Sequence, residues 1–398
     1  MITRGPRNRP AADGLHVFLG TQAEIIKTAP LMRLMDARGV PYRFIEAGQH
    51  GALSGELRAE LGVRAPDFSL GHGTDAQTIP QALRWATGLV AQLPAGAKLR
   101  REVFGGRGGI CVVHGDTPST LLSTLMARRA GLRVAHIEAG LRSHRLLHPF
   151  PEELIRLAVM RLANLLFAPD DVTVANLTAL RVRGEIVPIG ANTMVEALRF
   201  AAGDTAVEGD GPVIVTLHRV ENLHQRRRVD QLVEVVGKIA AERPLIWFLH
   251  GPTRQAFARY GVDLKLRSMG IDARPLASHG EFAKLLCRAP YVITDGGSMQ
   301  EECAALGVPV LLWRLETERT DGLGANVVVS RYDPATVAAF LADPQRWRRE
   351  PAPMTAKPSE RILDVLLDRL SPHLSGGKGP PQGRITPSRP DKSPERGR

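Results

Sequence analysis

Residues 109–153 read GICVVHGDTPSTLLSTLMARRAGLRVAHIEAGLRSHRLLHPFPEE. GICVV is a short apolar run with β-branched residues, ended by His114-Gly115-Asp116. Thr117 has the character of an N-cap and Pro118 that of a first helical residue, which predicts a helix to Ala130 closed by Gly131. RVAHIE is the next strand and closes with Glu138-Ala139-Gly140. In a right-handed strand–helix–strand unit the two strands are parallel, so Asp116 and Glu138 both emerge at their C-terminal edge, where open α/β sheets bind ligands. Glu152 and Glu153 follow behind Pro149 and Pro151 at the start of another helix, with His114, His136, His144 and His148 nearby. Each acid alone is explained by capping a loop or pairing with Arg142 or Arg156. Three aimed at one crevice favour catalysis, and as cleft-edge groups none is expected to hold a core together.

Outward from this stretch, strand and helix signals alternate along the chain. LHVFLG is a strand, followed by Thr21-Gln22-Ala23-Glu24 and a helix through Met35. This strand–Gly–helix opening suits a phosphate, yet without G-x-G-x-x-G it disfavours a dinucleotide. VPYRFIEAG is the second strand, and LRAELGV and TIPQALRWATGLVAQL are helical by apolar spacing. After Glu152 come a helix, the strand LLFAP, a short helix and the strand EIVPIG. Around 190–211 the chain crosses a short linker into a second series. Its strands are PVIVTLH, PLIWFLH, IDARPL, YVITD, VPVLLW and VVVS, with helices between, and RILDVLLDRL is a last helix. The pattern predicts two doubly wound, Rossmann-like α/β domains facing across a cleft. The divisions are a disordered tail over 1–14, an N-terminal domain over 15–192 bearing the carboxylates, and a C-terminal nucleotide-binding domain over 193–358. A helix over 359–370 is expected to pack back across the junction, and 371–398 form a basic, disordered tail.

Of the formal charge of +11, the segment after Ser371 carries +4 and Arg4, Arg7 and Arg9 carry +3. The remainder is unremarkable and shows no aromatic-interleaved basic stripe, so nucleic acid is not an expected partner. No apolar run approaches the ~20 residues of a membrane span, and the N-terminus lacks the apolar core of a secretory signal. Cys111, Cys287 and Cys303 lie far apart in apolar segments and fit buried thiols. His136-Ile137-Glu138 imitates half of a zinc-deaminase pattern, but no C-x-x-C follows, so no metal is expected. A cytoplasmic protein is the simplest reading.

The second half supplies the better-defined anion site. YVITD ends a strand, Asp295-Gly296-Gly297-Ser298 turns, and Met299-Gln300-Glu301-Glu302 opens a helix. Glycines let a phosphate approach the backbone, and the free N–H groups with the helix dipole favour negative charge there. The alternative is an ordinary β-to-α turn. His218 and His250 each end a strand on the cleft edge, where either donates to a phosphate or is simply solvated.

GTQAEIIKTAPLM, VVHGDTPSTL, VAHIEAGLRS, PFPEE, VTLHRVENL, ITDGGSMQEE and ETERTDG stand in an order and spacing that resemble the bacterial, non-hydrolysing UDP-N-acetylglucosamine 2-epimerases. The likeness runs from about Leu15 to Leu370. It implies a glycosyltransferase-B-like fold and epimerisation at carbon 2 of a UDP-N-acetylhexosamine, by elimination and re-addition of UDP, without cofactor or metal. By resemblance Asp116, Glu138, Glu152 and His218 are the catalytic set. Lys27, Gly296, Gly297, Ser298, Glu302 and Arg319 are nucleotide contacts, and Phe282 lines the uracil. Gln22 and Ala23 stand where the family has arginine and proline, Ser298 is displaced within the glycine turn, and Thr320-Asp321 replace Pro-Glu. The chain thus resembles a divergent member, with its catalytic side whole and its nucleotide side altered. The partner implied is a UDP-sugar, and a homodimer is possible. Other readings are a hydrolysing epimerase that releases UDP and N-acetylmannosamine, a glycosyltransferase, and a sugar-nucleotide-binding protein on the same fold.

Overall fold

The computed structural model describes residues 14–47, 55–70, 96–145, 151–351 and 355–370. The tails at 1–13 and 371–398, the helix expected over 78–93, and His148, Pro149 and Phe150 lie outside the described residues.

Among the described residues, seven parallel strands form the first sheet in the order β3-β2-β1-β4-β5-β6-β7. They are β1 (Gly14–Leu19), β2 (Arg43–Glu46), β3 (Phe68–Ser69), β4 (Gly109–His114), β5 (Arg133–Ile137), β6 (Leu165–Ala168) and β7 (Glu185–Pro188). The second sheet has six parallel strands in the order β10-β9-β8-β11-β12-β13. These are β8 (Val213–Thr216), β9 (Leu245–Leu249), β10 (Asp272–Pro275), β11 (Val292–Thr294), β12 (Val310–Leu312) and β13 (Val327–Val329). In both sheets the order reverses beside the first strand, so β1 and β4, and likewise β8 and β11, flank a switch point. Ligand crevices of open α/β sheets lie there.

Register decides what the switch points present. His114 pairs with Ile137 across β4 and β5, so Gly115-Asp116 and Glu138 leave the sheet side by side. Ile293 pairs with Val215 across β11 and β8, and the Thr216 and Thr294 hydroxyls meet at 2.6 Å just beyond. His218 and Asp295 therefore issue from neighbouring strand ends. Two helices start where capping chemistry dictates. Thr21 caps Gln22–Ala37 with Glu24 in return, and Thr117 caps Pro118–Arg129 with Thr120 in return. Apolar side chains on both faces of each sheet bury against these and the other helices.

The fold departs from the sequence reading in several places. Gly14 opens β1 instead of closing a tail. The segment read as a short linker contains the helix Thr193–Ala202, which buries Met194, Ala197 and Leu198. Arg33 of the helix Gln22–Ala37 lies 3.5 Å over the Phe200 ring of that helix. A helix over Gly251–Tyr260 is absent from the reading because its polar residues hide the apolar pair Ala256 and Phe257. The strand β3 and the helix Gly96–Glu102 escape for want of length.

The last helix, Pro358–Leu370, follows the second sheet but buries Ile362, Leu363 and Leu366 in the core of the first. Truncating such a side chain leaves a cavity that the surrounding helices fill only in part. Leu366→Ala is expected to lower the unfolding free energy by about 2–5 kcal/mol, measured by urea denaturation. A change below ~1 kcal/mol would mean that this helix is not integral to the N-terminal core.

Candidate active site

The cleft between the sheets is built around four buried charges. Glu138 follows β5 with φ 63, a left-handed backbone that a residue with a side chain adopts only under constraint. Gly140 makes this turn possible, since a Cβ there would stand 2.4 Å from the Thr173 carbonyl oxygen. Glu138 is 7% exposed. Its Oε2 accepts from Lys27 Nζ at 2.7 Å and its Oε1 from Arg319 Nη2 at 2.6 Å. Arg319 Nη1 also donates to Glu301 Oε2 at 3.0 Å, and Lys27 Nζ lies 3.7 Å from the same oxygen. Lys27 and Glu138 come from the N-terminal half, Arg319 and Glu301 from the C-terminal half, so the cluster bridges the two.

Burial opposes the charge on Glu138, but Lys27 and Arg319 outweigh it and hold the carboxyl well below its ordinary 4.5. Burial pushes Glu301 up to about 7 despite Arg319 and Lys27. Burial and then the adjacent Glu301 push Glu302 up to about 8. His114 Nε2 lies 3.5 Å from Glu138 Oε2, and burial takes its ring down to about 3, so it is neutral.

Asp116 stands beside this cluster, held by Arg156 through Nη2 at 2.5 Å and Nε at 2.7 Å. Arg156 Nη1 reaches Glu153 at 3.4 Å, and Glu153 also accepts from Arg142 and from the Ser143 N–H at 3.0 Å. His136, between Asp116 and Glu138, is within electrostatic reach of both and bonds the Gly115 carbonyl oxygen at 2.7 Å. Glu152 begins its helix half-buried, and its shielded Oε2 has no hydrogen-bond partner among the described residues.

Two buried carboxylates brace the loops behind these groups. Glu24 accepts from the Gly20 N–H at 2.6 Å, the Thr21 N–H at 3.4 Å, Ser119 Oγ at 3.0 Å, Thr120 Oγ1 at 3.3 Å and the Thr117 hydroxyl. It thereby joins the turn after β1 to the turn that carries Asp116. Asp295, fully buried, accepts from the His218 N–H at 3.0 Å, the Arg219 N–H at 2.9 Å and Asn222 Nδ2 at 2.9 Å. His218 remains open to the cleft, its ring 4.7 Å from that of His250, which burial and then the charge of His218 take down to about 4. A Cβ on Gly296 would stand 2.9 Å from His218 Cε1, and one on Gly297 would stand 3.1 Å from Arg319 Nε. The glycine turn therefore admits both side chains to the start of the helix Gly297–Leu306. Ser298 and Gln22 are exposed at first turns of their helices. Phe282 packs edge-on against Phe248 at 5.3 Å.

The expectation of rim carboxylates is corrected for Glu138. It lies inside a buried ionic cluster because two cations that the resemblance gives to the nucleotide fold onto it. Glu153 and Glu301, which the sequence placed at helix starts without a role, are members of the cleft, as are Arg219 and Glu318, which the sequence reading did not single out. Burial opposes the charge on Glu318, yet Arg219 and Arg314 hold it at about 2. Only the three-residue spacing of Glu153 and Arg156 on one helix was a local signal. Among the described residues no group of His, Cys, Asp and Glu has the arrangement of a metal-ligand set, and no helix is long and apolar enough to cross a membrane. A cavity of about 400 Å³ lined by residues such as Val195, Leu198 and Leu306 lies apart from this chemistry. A smaller one, about 210 Å³, opens within the cleft between Arg142–His144 and Thr317–Asp321.

Two doubly wound sheets meeting across such a cleft define a glycosyltransferase-B-like α/β protein. The family model for UDP-N-acetylglucosamine 2-epimerase matches residues 32–366, and the chain belongs to that family of isomerases. The UDP-N-acetylglucosamine 2-epimerase of Methanocaldococcus jannaschii is 27% identical over 376 residues, covering 88% of this chain and 98% of that protein. The UDP-2,3-diacetamido-2,3-dideoxy-D-glucuronate 2-epimerase of Pseudomonas aeruginosa is 31% identical over 327 residues, covering 78% and 87%. The crystal structure of the M. jannaschii enzyme in complex with UDP-GlcNAc and UDP matches with a TM-score of 0.73 at 26% identity, over 89% of this chain and 99% of that one.

Removing Glu138 leaves Lys27 and Arg319 buried with one fewer carboxylate. Glu138→Gln is expected to cost about 3–5 kcal/mol of stability at pH 7. Because the folded carboxyl is held below its ordinary value, its contribution is present above 4.5 and is lost as pH falls through the depressed value. Urea denaturation of parent and variant should therefore converge in acid. Equal stabilities at pH 7 would refute the buried cluster.

Proposed function

We propose that this chain epimerises carbon 2 of a UDP-N-acetylhexosamine, converting UDP-N-acetylglucosamine to UDP-N-acetylmannosamine by elimination and re-addition of UDP. The observation that carries this reading is the joining of Glu138 to Lys27 and Arg319 beside the Gly296–Gly297 turn. A proton-transfer group and a cationic cradle then lie within one substrate's length. In the proposed sequence a carboxylate takes the proton from carbon 2 as the bond from carbon 1 to the diphosphate breaks. The glycal-like intermediate receives a proton on the opposite face, and UDP adds back at carbon 1. Asp116, Glu138 and Glu152 are the proton-transfer candidates, since traffic on two faces of a ring needs two groups. Lys27, Arg319 and His218 stabilise the departing diphosphate, aided by backbone N–H groups of the glycine turn. Phe282 lines the base, Ser298 meets the phosphate and Glu302 the ribose.

The likeness to a 2-epimerase of a diacetamido-uronate sugar nucleotide supports a UDP-sugar while leaving the hexose substituents wider than N-acetylglucosamine. Gln22, exposed where the family has arginine, lies on the first turn of the helix that carries Lys27. Gln22→Arg is expected to tighten UDP binding by calorimetry, and unchanged affinity would point to a different leaving group.

The direct test follows deuterium entry at carbon 2 by NMR when the protein is incubated with UDP-N-acetylglucosamine in heavy water. Asp116→Asn, Glu138→Gln and Glu152→Gln should each slow exchange if the group transfers a proton, by roughly 10²–10⁴ for the group that limits it. Three folded variants that all exchange at the parental rate would end this mechanism for the chain.

A further inference from the structure

With Glu301 ionised the buried cluster is neutral, Lys27 and Arg319 being set against Glu138 and Glu301. A diphosphate that takes both cations brings negative charge into a site already shielded from water, where unpaired charge is costly. The two carboxylates are not held equally. Glu138 has Arg319 at 2.6 Å, Lys27 at 2.7 Å and His114 at 3.5 Å. Glu301 has Arg319 at 3.0 Å and Lys27 only at 3.7 Å. It is 3% exposed, between buried Gln300 and Glu302 on the helix that starts at the glycine turn. Gln300 is itself tied by Nε2 to the carbonyl oxygens of Arg319 and Asp321 at 3.2 and 2.9 Å, which fixes this turn of the helix against the loop that carries Arg319.

We propose that Glu301 is a proton-accepting positioning residue of the nucleotide site. It holds Lys27 and Arg319 in place while the site is empty, and takes up a proton from solvent when a nucleoside diphosphate claims them. This rests on the diphosphate reading given above.

The groups that face Glu301 are Lys27 from the helix Gln22–Ala37, Glu138 from the turn after β5, Arg319 and Asp321 from the loop after β12, and Glu302 on its own helix. Burial already places Glu301 at about 7 in their presence, and losing the two cations raises it further. Below that pH the group is protonated before the ligand arrives and binding takes up little. Above it, uptake approaches one proton and affinity falls as pH rises, by about tenfold between pH 7 and 8.5.

The experiment is calorimetric titration of the full chain with UDP-N-acetylglucosamine, whose diphosphate diester does not titrate near neutrality, in buffers of different ionisation heat at pH 7.5. The parent is expected to take up between half a proton and one. Glu301→Gln should bind without uptake and with a flattened pH dependence. Binding by the parent without uptake, or full uptake by Glu301→Gln, overturns the assignment. If Glu301→Gln does not fold, Glu301→Asp replaces it. Its shorter reach should move the pH at which uptake sets in, and an unmoved midpoint overturns the assignment. Failure of a folded parent to bind the UDP-sugar overturns the diphosphate reading and this inference together. Binding and carbon-2 exchange without uptake overturn this inference alone.

Discussion

Charge taken out of water needs a partner, and in this protein the partners come from opposite halves of the chain. Lys27 and Glu138 belong to the N-terminal half, and Arg319 and Glu301 to the C-terminal half. Either half alone would present a buried or half-buried cation and carboxylate without the second partner each one uses. The cleft is therefore a place where the two sheets are electrostatically obliged to meet. The Glu138 backbone accepts a left-handed conformation there, and glycines stand wherever a Cβ would push His218 or Arg319 away.

A common device supports both halves. At each switch point one buried carboxylate ties two neighbouring loops together. Glu24 draws in Gly20, Thr21, Thr117, Ser119 and Thr120, and Asp295 draws in His218, Arg219 and Asn222. Donors around a carboxylate compensate its lost hydration, and the same bonds fix the loops that bear Asp116 and His218. Rigidity at the site thus derives from polar groups that never reach the cleft. The apolar layers on the sheet faces only set the distance between strands and helices.

Two of the alterations from the family pattern fall on the solvent side of this framework. Gln22 and Ser298 are exposed at helix starts, whereas Lys27, Glu138, Glu301, Glu302 and Arg319 are buried. An exposed position at a helix start can change its side chain without disturbing the cluster, because it makes no bond to the buried charges.

By itself the sequence determined the local elements and their edges. Apolar β-branched runs, Thr117-Pro118 as a helix start, and Gly131 and Gly140 as turns all depend on neighbours within a few residues, so β4, β5 and the exits of Asp116 and Glu138 were legible. The order and spacing of the HGDT, EAGLR and TDGG segments carried the family as well. The helix Gly251–Tyr260 was not legible, because its apolar face is narrow and its first turn polar. Tertiary structure alone decided that Glu138 is buried among cations, that Asp116 answers to Arg156, and that Glu301 is a member of the site. The contacts of Asp116 and Glu138 join residues 40 to 181 positions apart, and their strength comes from shared exclusion of water. Exclusion is a property of two sheets closing on each other, and no local pattern encodes it.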